Sequence, residues 1–471
     1  MTSPDHAALR SMLYDSLREQ PHPLLVGERF IIPAASLWTG ARAWVKAFRT
    51  AGLWPGDRIV LSLPRGPAWI MANTAAWCEG LTVCPTGRAS REALETYDAR
   101  AIVCDSPLPH AFCPTSAGDP LTKPQRLRCS GPSTPDIALI MTTSGSVVDP
   151  KRIALSHGNV VHQLRTHGSA MGVHRHDRVW SALPWFHAFG LLVDLWPALL
   201  AGATVFVDSK EGRDAQATLE ALDDLGITRA CMVPMHAQAI AQLPGGQPAL
   251  RRLSGVIGGA PVREALARTL RGSNLRIGYG QTEASPGICL GQPGEFIDGG
   301  LGRPVGCDIA IRDGELSVRG HNVCAGIWRD GTLTRLDPDR WLATGDLVEQ
   351  DVHRNHSPLR FLGRMDDRFK LSNGRMVDVP SIERALSAST PDSEAVVFTP
   401  DGIALVVAWL GEPPRDAHSR ACSAFGSLSR RLRGMVTHKN AASMRTPKGA
   451  PDRRAIAADY ARRRNATQAA A

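Results

Sequence analysis

The chain has 471 residues, of which 43% are hydrophobic and 21% are charged, and its formal net charge is +9. This length exceeds one ordinary domain core, so we expect at least two domains in a soluble globular protein with a large core. The polar amino terminus has no apolar stretch behind a basic start, and no window approaches the roughly 18 apolar residues of a membrane span. Composition therefore predicts neither a secretory signal nor a membrane span.

The ten cysteines lie between Cys78 and Cys422, with no CxxC pair and no histidine at zinc-finger spacing. Without a predicted secretory signal they are interpreted as reduced, mostly buried thiols of a cytoplasmic protein.

The basic excess concentrates late in the chain, in SRRLRGMVTHKN, RTPKGAPDRR and ARRRNA. These stretches lack interleaved aromatic residues that would stack on bases, so nucleic acid is the weakest candidate partner. A solvated basic face and a surface for an acidic or phosphorylated partner both stay open.

Short β-branched apolar segments recur along the first 280 residues and alternate with helix-like stretches. The strand candidates are RIVLSL, ARAIVC, IALIM, ATVFV, RACMV, LSGVIG and NLRIGYG, and the helix candidates include GPAWIMANTAAWCEG, AQATLEALDDLG and PVREALARTLRG. This alternation predicts an α/β fold with largely parallel sheets.

The pattern changes after about residue 305. DIAIRDGELSVRG has a DG turn between two alternating runs, which predicts a hairpin in a β-rich subdomain. Further on, the polar GRMDD cluster precedes the helix-like VPSIERALSAST. We therefore predict a large N-terminal α/β domain over residues 1–365 and a small α+β C-terminal domain over residues 366–471.

The stretch TTSGSVVDPKR follows the strand candidate IALIM and contains hydroxyls, a glycine and Lys151. Backbone N–H groups and hydroxyls can wrap phosphate oxygens, and a lysine adds a mobile positive charge. The Walker pattern G-x-x-x-x-G-K-[ST] is absent, however. On these residues alone, a phosphate loop and an ordinary turn are equally good interpretations.

The stretch TTSGSVVDPKRIALSHGN resembles the signature loop YTSGSTGxPKGVxLSHxN of the adenylate-forming superfamily, which includes acyl-CoA synthetases, aryl-CoA ligases and peptide-synthetase adenylation domains. Further segments resemble that family's motifs in the family's own order: AGLWPGDRIVLSLP, LPWFHAFGL, GGAPV, GYGQTEAS, WLATGDL and GRMDDRFKLSNGRMV. Any one match could arise by chance, but the ordered set covers nearly the whole chain and is strongly specific.

The resemblance implies a role for each matching position. The residues implied to contact phosphate are Thr143, Ser144, Gly145, Ser146, Lys151 and Thr282, and those implied to form the adenine slot are Gly259, Ala260, Tyr279 and Gly280. Glu283 is implied to bind Mg²⁺, and Asp346 and Arg364 to bind the ribose hydroxyls. Asp366 is implied to be the interdomain hinge, about which the small domain turns, and Lys370 to serve in the second half-reaction. Taken singly, Tyr279 could instead be core, Asp346 a turn residue and Asp366 a helix cap.

The resemblance also implies the reaction. A carboxylate attacks the α-phosphorus of ATP in the presence of Mg²⁺, which gives an acyl-adenylate and pyrophosphate. The acyl group then passes to a thiol of coenzyme A or of the phosphopantetheine arm of a carrier protein. An acidic carrier protein and the phosphates of coenzyme A both suit the basic carboxy-terminal face.

His187 occupies the position at which amino-acid-activating relatives have an aspartate for the substrate's α-ammonium group. Without that carboxylate an α-amino acid would bury an unpaired charge, so a fatty or aryl acid is favoured. The post-hinge segment KLSNGRMV likewise resembles the long-chain acyl-CoA synthetase version. A buried structural histidine is the alternative for this residue.

The sequence departs from the family pattern at three places. Val147 and Val148 replace a hydroxyl residue and a glycine, Arg152 replaces a second glycine, and Ala450 occupies the position of the lysine that assists adenylation. Three interpretations of Ala450 stay open: an engineered replacement of lysine, a protein that adenylates slowly, or substitution by Lys448, two residues earlier, which requires the loop to shift register. Loss of one preorganised charged donor commonly costs about 10² to 10³ in rate. The alternative to a ligase is therefore a catalytically impaired member that binds nucleotide or acyl ligand as a sensor or partner subunit.

Overall fold

A computed structural model describes residues 3–18, 23–105, 111–113, 133–143, 150–350, 358–367, 369–372, 376–387, 393–401, 403–438, 441–445 and 451–469. Across these ranges no helix is both long enough and apolar enough to cross a membrane. The nine cysteines described there are free thiols, and six of them are buried.

Thirteen α-helices lie within the described ranges. They are α1 (Pro4–Arg18), α2 (Ala34–Thr50), α3 (Pro67–Cys78), α4 (Arg91–Tyr97), α5 (His157–Met171), α6 (Trp196–Leu200), α7 (Ala215–Asp224), α8 (Pro234–Ala241), α9 (Gly246–Arg252), α10 (Glu264–Leu270), α11 (Val379–Ser387), α12 (Ala417–Phe425) and α13 (Arg453–Ala469). A π-helix (Gly190–Leu195) precedes α6, and 3-10 helices span Thr282–Ala284, Met365–Asp367, Gly426–Arg431 and Ala441–Met444.

The same ranges contain twenty-six strands. They are β1 (Pro23–Gly27), β2 (Phe30–Pro33), β3 (Arg58–Ser62), β4 (Thr82–Pro85), β5 (Ala101–Cys104), β6 (Ala111–Phe112), β7 (Ile137–Thr142), β8 (Arg152–Ser156), β9 (Arg178–Ser181), β10 (Thr204–Val207), β11 (Arg229–Ala230), β12 (Ser254–Gly258), β13 (Asn274–Gly280), β14 (Gly287–Leu290), β15 (Gly300–Pro304), β16 (Asp308–Arg312), β17 (Glu315–Arg319), β18 (Gly326–Arg329), β19 (Thr332–Arg335), β20 (Leu342–Glu349), β21 (Leu359–Arg364), β22 (Phe369–Lys370), β23 (Met376–Val377), β24 (Glu394–Phe398), β25 (Leu405–Leu410) and β26 (Leu432–His438).

Two large sheets, each with a parallel centre, form the N-terminal part. In the first, β1, β10, β9, β11, β12 and β13 are neighbours in that order and run parallel. In the second, β7, β4, β3, β5 and β6 do the same. Strands such as β3 are buried along their whole length, which explains why they are continuous apolar runs in the sequence. The predicted α/β fold with largely parallel sheets is confirmed.

An antiparallel extension follows the first parallel centre, through β14, β15, β21, β20, β17 and β16. The predicted hairpin is present, since β16 pairs with β17 around Asp313 and Gly314, whose φ angles are 50° and 80°. Positive φ at both central residues is what a tight two-residue hairpin requires, and Asp-Gly supplies it at low cost. This extension is the predicted β-rich subdomain.

The C-terminal part has a separate three-stranded sheet in the order β24, β25, β26, with α11 and α12 packed on it around the buried Trp409. We refer to residues 366–469 as the C-terminal unit and to the residues before them as the N-terminal unit. Arg453, at the start of α13, donates to both oxygens of Glu383 in α11 at 2.7 and 2.6 Å and to the Val397 carbonyl at 3.0 Å. The boundary between residues 365 and 366 and the mobility of the small domain stay predictions.

Because Arg453 ties α13 to α11 and β24, we expect Arg453→Met to lower the local free energy of unfolding there by about 2 kcal/mol, the usual loss for a charged hydrogen bond. Hydrogen exchange of peptides over residues 379–410 measures this change. Arg454→Met, at the exposed neighbouring position, is the matched control. Equal protection in both variants would contradict the expectation.

Candidate active site

The carboxyl ends of the parallel strands meet at one edge of the first sheet. β12 pairs with β13 with Gly258 opposite Gly278, so Gly259 and Ala260 follow β12 beside Tyr279. The segment that contains His187 follows the carboxyl end of β9, which belongs to the same parallel set. Ligands of open α/β sheets bind at this kind of edge.

A buried carboxylate joins three strands at this edge. The Tyr279 hydroxyl donates to Oδ2 of Asp346 at 2.6 Å, and Nη1 of Arg364 donates to Oδ1 at 2.6 Å. Asp346 is only 5% exposed, and burial raises its pKa while Arg364 and the Tyr279 hydroxyl act in the opposite direction. Burial, and then the Asp346 charge, hold the pKa of Tyr279 well above its usual value. The phenol therefore stays a hydrogen-bond donor at neutral pH.

The turn before Asp346 orients this carboxylate. Gly345 has a φ of 73°, and a Cβ added there would lie 2.9 Å from Nη2 of Arg364. The Thr344 hydroxyl accepts from the Asp346 N–H at 3.1 Å and donates to the Leu316 carbonyl at 2.7 Å. A glycine is needed here because a side chain would meet the guanidinium group in a backbone conformation that L-residues rarely adopt.

The start and end of the predicted phosphate loop are held together by β7 and β8. The Thr143 N–H donates to the Lys151 carbonyl at 2.8 Å, and β7 pairs with β8 with Thr142 opposite Arg152. The predicted contacts Ser144, Gly145 and Ser146 lie outside the described residues, as do Val147 and Val148.

A cleft of about 400 Å³ brings three predicted residues together: Lys151, Glu283 and Arg364. Other cleft-lining residues were not singled out from the sequence: Gln281, Glu315, Arg340, Thr344, Gly345 and Met365. Gln281, Thr344 and Gly345 lie inside the quoted motifs GYGQTEAS and WLATGDL, so the motif itself was their signal. Glu315 accepts from the Gly345 N–H at 2.8 Å across the β-rich part, and no local pattern indicates such a contact.

Glu283 lies on the 3-10 helix after β13, where its backbone carbonyl accepts from the Cys324 N–H at 2.9 Å. No cluster of three or more metal-ligating side chains occurs among the residues that the structure describes. The Glu283 carboxylate in a cleft that also has cationic side chains fits Mg²⁺ bound together with nucleotide phosphates, because this ion usually keeps few protein ligands. The residues present therefore fit a magnesium–nucleotide complex better than a metal held by protein alone.

The His187 ring lies 4.5 Å from the Phe186 ring, centroid to centroid, and its backbone N–H donates to the Pro184 carbonyl at 3.2 Å. The Phe189 ring lies close to the end of β12, since Cβ atoms added at Gly258 and Gly259 would lie 3.6 and 3.8 Å from it. The aromatic segment thus lies against the glycines that follow β12. These distances to the Phe189 ring are ordinary contact distances, whereas a Cβ at Gly258 would lie only 2.7 Å from the Gly278 carbonyl oxygen.

A buried carboxyl group supports the aromatic segment. Asp194, in the π-helix, accepts from the Ser181 hydroxyl at 2.6 Å, and that hydroxyl accepts from the Trp185 indole at 3.1 Å. Burial raises the pKa of Asp194 to about 7, against the hydrogen bond from Ser181 and the weaker effects of Cys231 and Arg65. No motif indicated Asp194; its signal was a single acidic residue inside the apolar run GLLVDLWPALL.

The remaining predicted residues are not tested by side-chain geometry. Gly280 ends β13 and Thr282 begins the following 3-10 helix, both next to Glu283. Asp366 lies in the 3-10 helix after β21 and Lys370 in β22, but only their backbones are described. Lys448 and Ala450 lie outside the described residues.

Comparison with known proteins assigns the family. Residues 22–328 match the family of AMP-binding enzymes. The chain belongs to this family. It is 29% identical over 416 residues to a feruloyl-CoA synthase of an Amycolatopsis species, which covers 77% of this chain and 83% of that relative. It is 32% identical over 292 residues to an indoleacetate–CoA ligase of Aromatoleum aromaticum, covering 57% and 54%.

The solved structures agree on the fold. ATP-bound MatB from Rhodopseudomonas palustris superposes with a TM-score of 0.77 at 19% identity, covering 96% of this chain and 99% of that one. The resemblance to the adenylate-forming superfamily and the predicted fold class are thereby confirmed.

The Asp194 carboxyl makes stability depend on pH. Its folded pKa of about 7 exceeds the value of about 3.9 in an unfolded chain. Between these values the folded protein retains a proton that the unfolded chain has released, so stability falls as the pH rises from about 4 to about 7. Asn cannot ionise and can still accept from Ser181, so we expect the Tm of Asp194→Asn, relative to the parent, to rise between about pH 5 and about pH 7.5.

Thermal scans of both proteins across this pH range measure the difference. Asp308→Asn, on the exposed hairpin strand β16, is the control. A Tm difference for Asp194→Asn that stays constant with pH would contradict the assignment.

Proposed function

We propose that the chain is an ATP- and Mg²⁺-dependent ligase that joins a carboxylic acid to a thiol through an acyl-adenylate. The observation that carries this proposal is the buried Asp346 carboxylate, which Tyr279 and Arg364 hold. Arg364 lines the cleft together with Lys151 and Glu283. Family membership supports the nucleotide, and the two CoA-ligase relatives support the acid–thiol reaction.

In this proposal Asp346 and Arg364 bind the ribose hydroxyls, and the Tyr279 ring stacks on adenine beside Gly259, Ala260 and Gly280. A buried carboxylate with an oriented guanidinium is already desolvated, so ribose hydroxyls find rigid partners without further reorganisation. Arg364 suits this role because its side chain remains 43% exposed while Asp346 is buried. The nucleotide therefore meets one donor and one acceptor of fixed direction.

The phosphates lie toward Lys151, Thr143 and Thr282 in the same proposal, with Glu283 available to the Mg²⁺ that accompanies them. The bound cation neutralises phosphate charge, and this chain supplies Lys151 as a second positive group. An oxygen of the acid attacks the α-phosphorus, the bond to the β-phosphate oxygen breaks, and pyrophosphate leaves. No protein nucleophile is needed, since positioning and charge neutralisation account for catalysis.

A fatty or aryl acid is the proposed substrate class. Within the described segment 185–195 the sole acidic residue is Asp194, which is 2% exposed and accepts from Ser181, so it offers no accessible partner to an α-ammonium group. Phe189 beside Gly259, and Phe186 against the His187 ring, supply aromatic surface in this segment instead. Both CoA-ligase relatives named above act on acids with an aromatic ring by their names.

The thiol of coenzyme A, or of a carrier protein's phosphopantetheine arm, then attacks the acyl carbon of the adenylate and AMP leaves. Lys370 is the residue proposed for this second half-reaction, after the C-terminal unit has turned about Asp366. Thioester formation assayed separately with coenzyme A and with a carrier protein distinguishes the two acceptors.

The decisive test is acid-dependent ATP–pyrophosphate exchange over a panel of fatty and aryl acids, on this chain and on Ala450→Lys. We expect exchange in both, with Ala450→Lys faster by about 10² to 10³, because a preorganised cation near the reacting phosphate contributes about that factor. Lys448→Ala tests whether Lys448 substitutes in the parent chain. Tight ATP binding without exchange in either form would favour the sensor or partner subunit instead.

Nucleotide binding tests the carboxylate directly. Asp346→Asn replaces one of the two carboxylate oxygens by an amide NH₂ group, which donates and cannot accept. Tyr279 or Arg364 therefore loses its acceptor, and we expect ATP affinity to fall about tenfold or more. Isothermal titration with ATP and Mg²⁺ measures this without requiring turnover. Asp308→Asn is the control, because its carboxylate pairs with Arg319 on an exposed strand. Unchanged affinity in Asp346→Asn would remove Asp346 from the nucleotide site.

A further inference from the structure

An ion-pair triad connects the two units of the chain. Oε1 of Glu394, the first residue of β24, lies 3.2 Å from Nη2 of Arg263, which directly precedes α10 in the N-terminal unit. Oε2 of the same carboxylate lies 2.9 Å from Nη1 of Arg445 in the C-terminal unit. One carboxylate is thus shared between a cation of its own unit and a cation of the other.

The two halves of the triad differ in exposure. Arg445 is 24% exposed and Glu394 20%, whereas the Arg263 side chain is 57% exposed. The pair within the C-terminal unit is therefore the more protected, and the pair across the units is the one that solvent and salt reach. Of the two contacts in the triad, separation of the units would break the one with Arg263 and leave Glu394 paired with Arg445.

The triad lies next to two segments of the proposed active site. Arg263 follows Gly259 and Ala260 by a few residues, and Arg445 forms a backbone bridge with Pro451. A hydrogen bond of 2.8 Å from the Asp452 N–H to the Met444 carbonyl closes the same backbone bridge. Glu394 therefore connects the loop after β12 with the base of the chain segment that precedes α13.

Arg453 joins the residue after the predicted hinge to the rest of the C-terminal unit. Nε of Arg453 lies 3.0 Å from Oδ1 of Asp367, which ends the 3-10 helix after β21, and the same guanidinium pairs with Glu383. A turn about the predicted hinge at Asp366 would carry Asp367, α11, β24 and α13 together. Such a turn separates Glu394 from Arg263 without loss of the internal pairs.

We propose that Glu394 is a positioning residue whose carboxylate, shared between Arg263 and Arg445, docks the C-terminal unit in the orientation that serves adenylation. The assignment of this role to one half-reaction rests on the proposed function. The contact between Glu394 and Arg263 does not depend on it. Breaking the ion pair between Arg263 and Glu394 lowers the equilibrium constant for the docked orientation by about two- to fivefold, the range for an exposed ion pair. The first half-reaction slows by that factor, and the second does not.

Carbodiimide coupling tests the docking without turnover. Arg263→Lys places an amine where the guanidinium now meets Glu394, so a zero-length coupling reagent joins position 263 to Glu394, and peptide mass spectrometry detects the link. Adding Glu394→Gln abolishes that link. Arg268→Lys is the matched control: Arg268 is 60% exposed on the same helix and pairs with Glu264, so it yields only an intrahelical link. No link between position 263 and Glu394 overturns the docking contact, whatever the activity of the chain.

The half-reactions are then measured separately, in the chain and in its Ala450→Lys form. Arg263→Ala lowers acid-dependent ATP–pyrophosphate exchange about two- to fivefold and leaves thioester formation from added acyl-adenylate equal or faster. Arg268→Ala leaves both rates unchanged. Added salt reduces exchange in the parent toward the Arg263→Ala rate, since the pair is exposed. Equal loss of both half-reactions in Arg263→Ala, or the same exchange loss in Arg268→Ala, overturns the positioning role.

Discussion

The Asp346 carboxylate is the constraint on which the candidate site depends. A carboxylate this buried is costly unless its oxygens are hydrogen-bonded and its charge is paired. Tyr279 in β13 and Arg364 in β21 meet both requirements, and the strand register already places Arg364 opposite Asp346. One side chain thereby fixes the parallel centre of the first sheet against its antiparallel extension. The cleft lies where these parts meet the second sheet, at Lys151 and Ile327.

The same constraint lies next to the predicted hinge. Arg364 ends β21, and the predicted hinge residue Asp366 follows two positions later in the 3-10 helix. A ligand that binds Arg364 therefore contacts a residue that Asp346 holds, close to the start of the C-terminal unit. Asp367, the next residue, is already paired with Arg453 inside that unit. The chain passes from a residue anchored in one body to a residue anchored in the other within three positions, so little backbone is free to absorb a turn between them.

The sequence predicted features whose signal is local. The DG turn predicted the β16–β17 hairpin, and continuous apolar runs predicted the buried parallel strands. Ordered motifs identified Tyr279, Asp346 and Arg364 separately, but not the bonds that join them. The triad of Arg263, Glu394 and Arg445 had no signal, because Arg263 and Glu394 are 131 positions apart and neither belongs to a periodic pattern. Pairing between distant surface charges follows from the fold, which a single sequence does not contain.

None of the departures from the family pattern replaces Tyr279, Asp346 or Arg364. Hydrogen bonds from Tyr279 and Arg364 stabilise the folded chain whether or not the chemistry is fast, since they satisfy a buried charge in the absence of any ligand. In the proposed function a lysine at position 450 would act on bound phosphate, so its charge would matter only in the presence of nucleotide. In that proposal Ala450 is compatible with an intact fold and an intact cleft. The residues that hold the site together and the residues that set its rate are separate sets, and the Asp346 network belongs to the first.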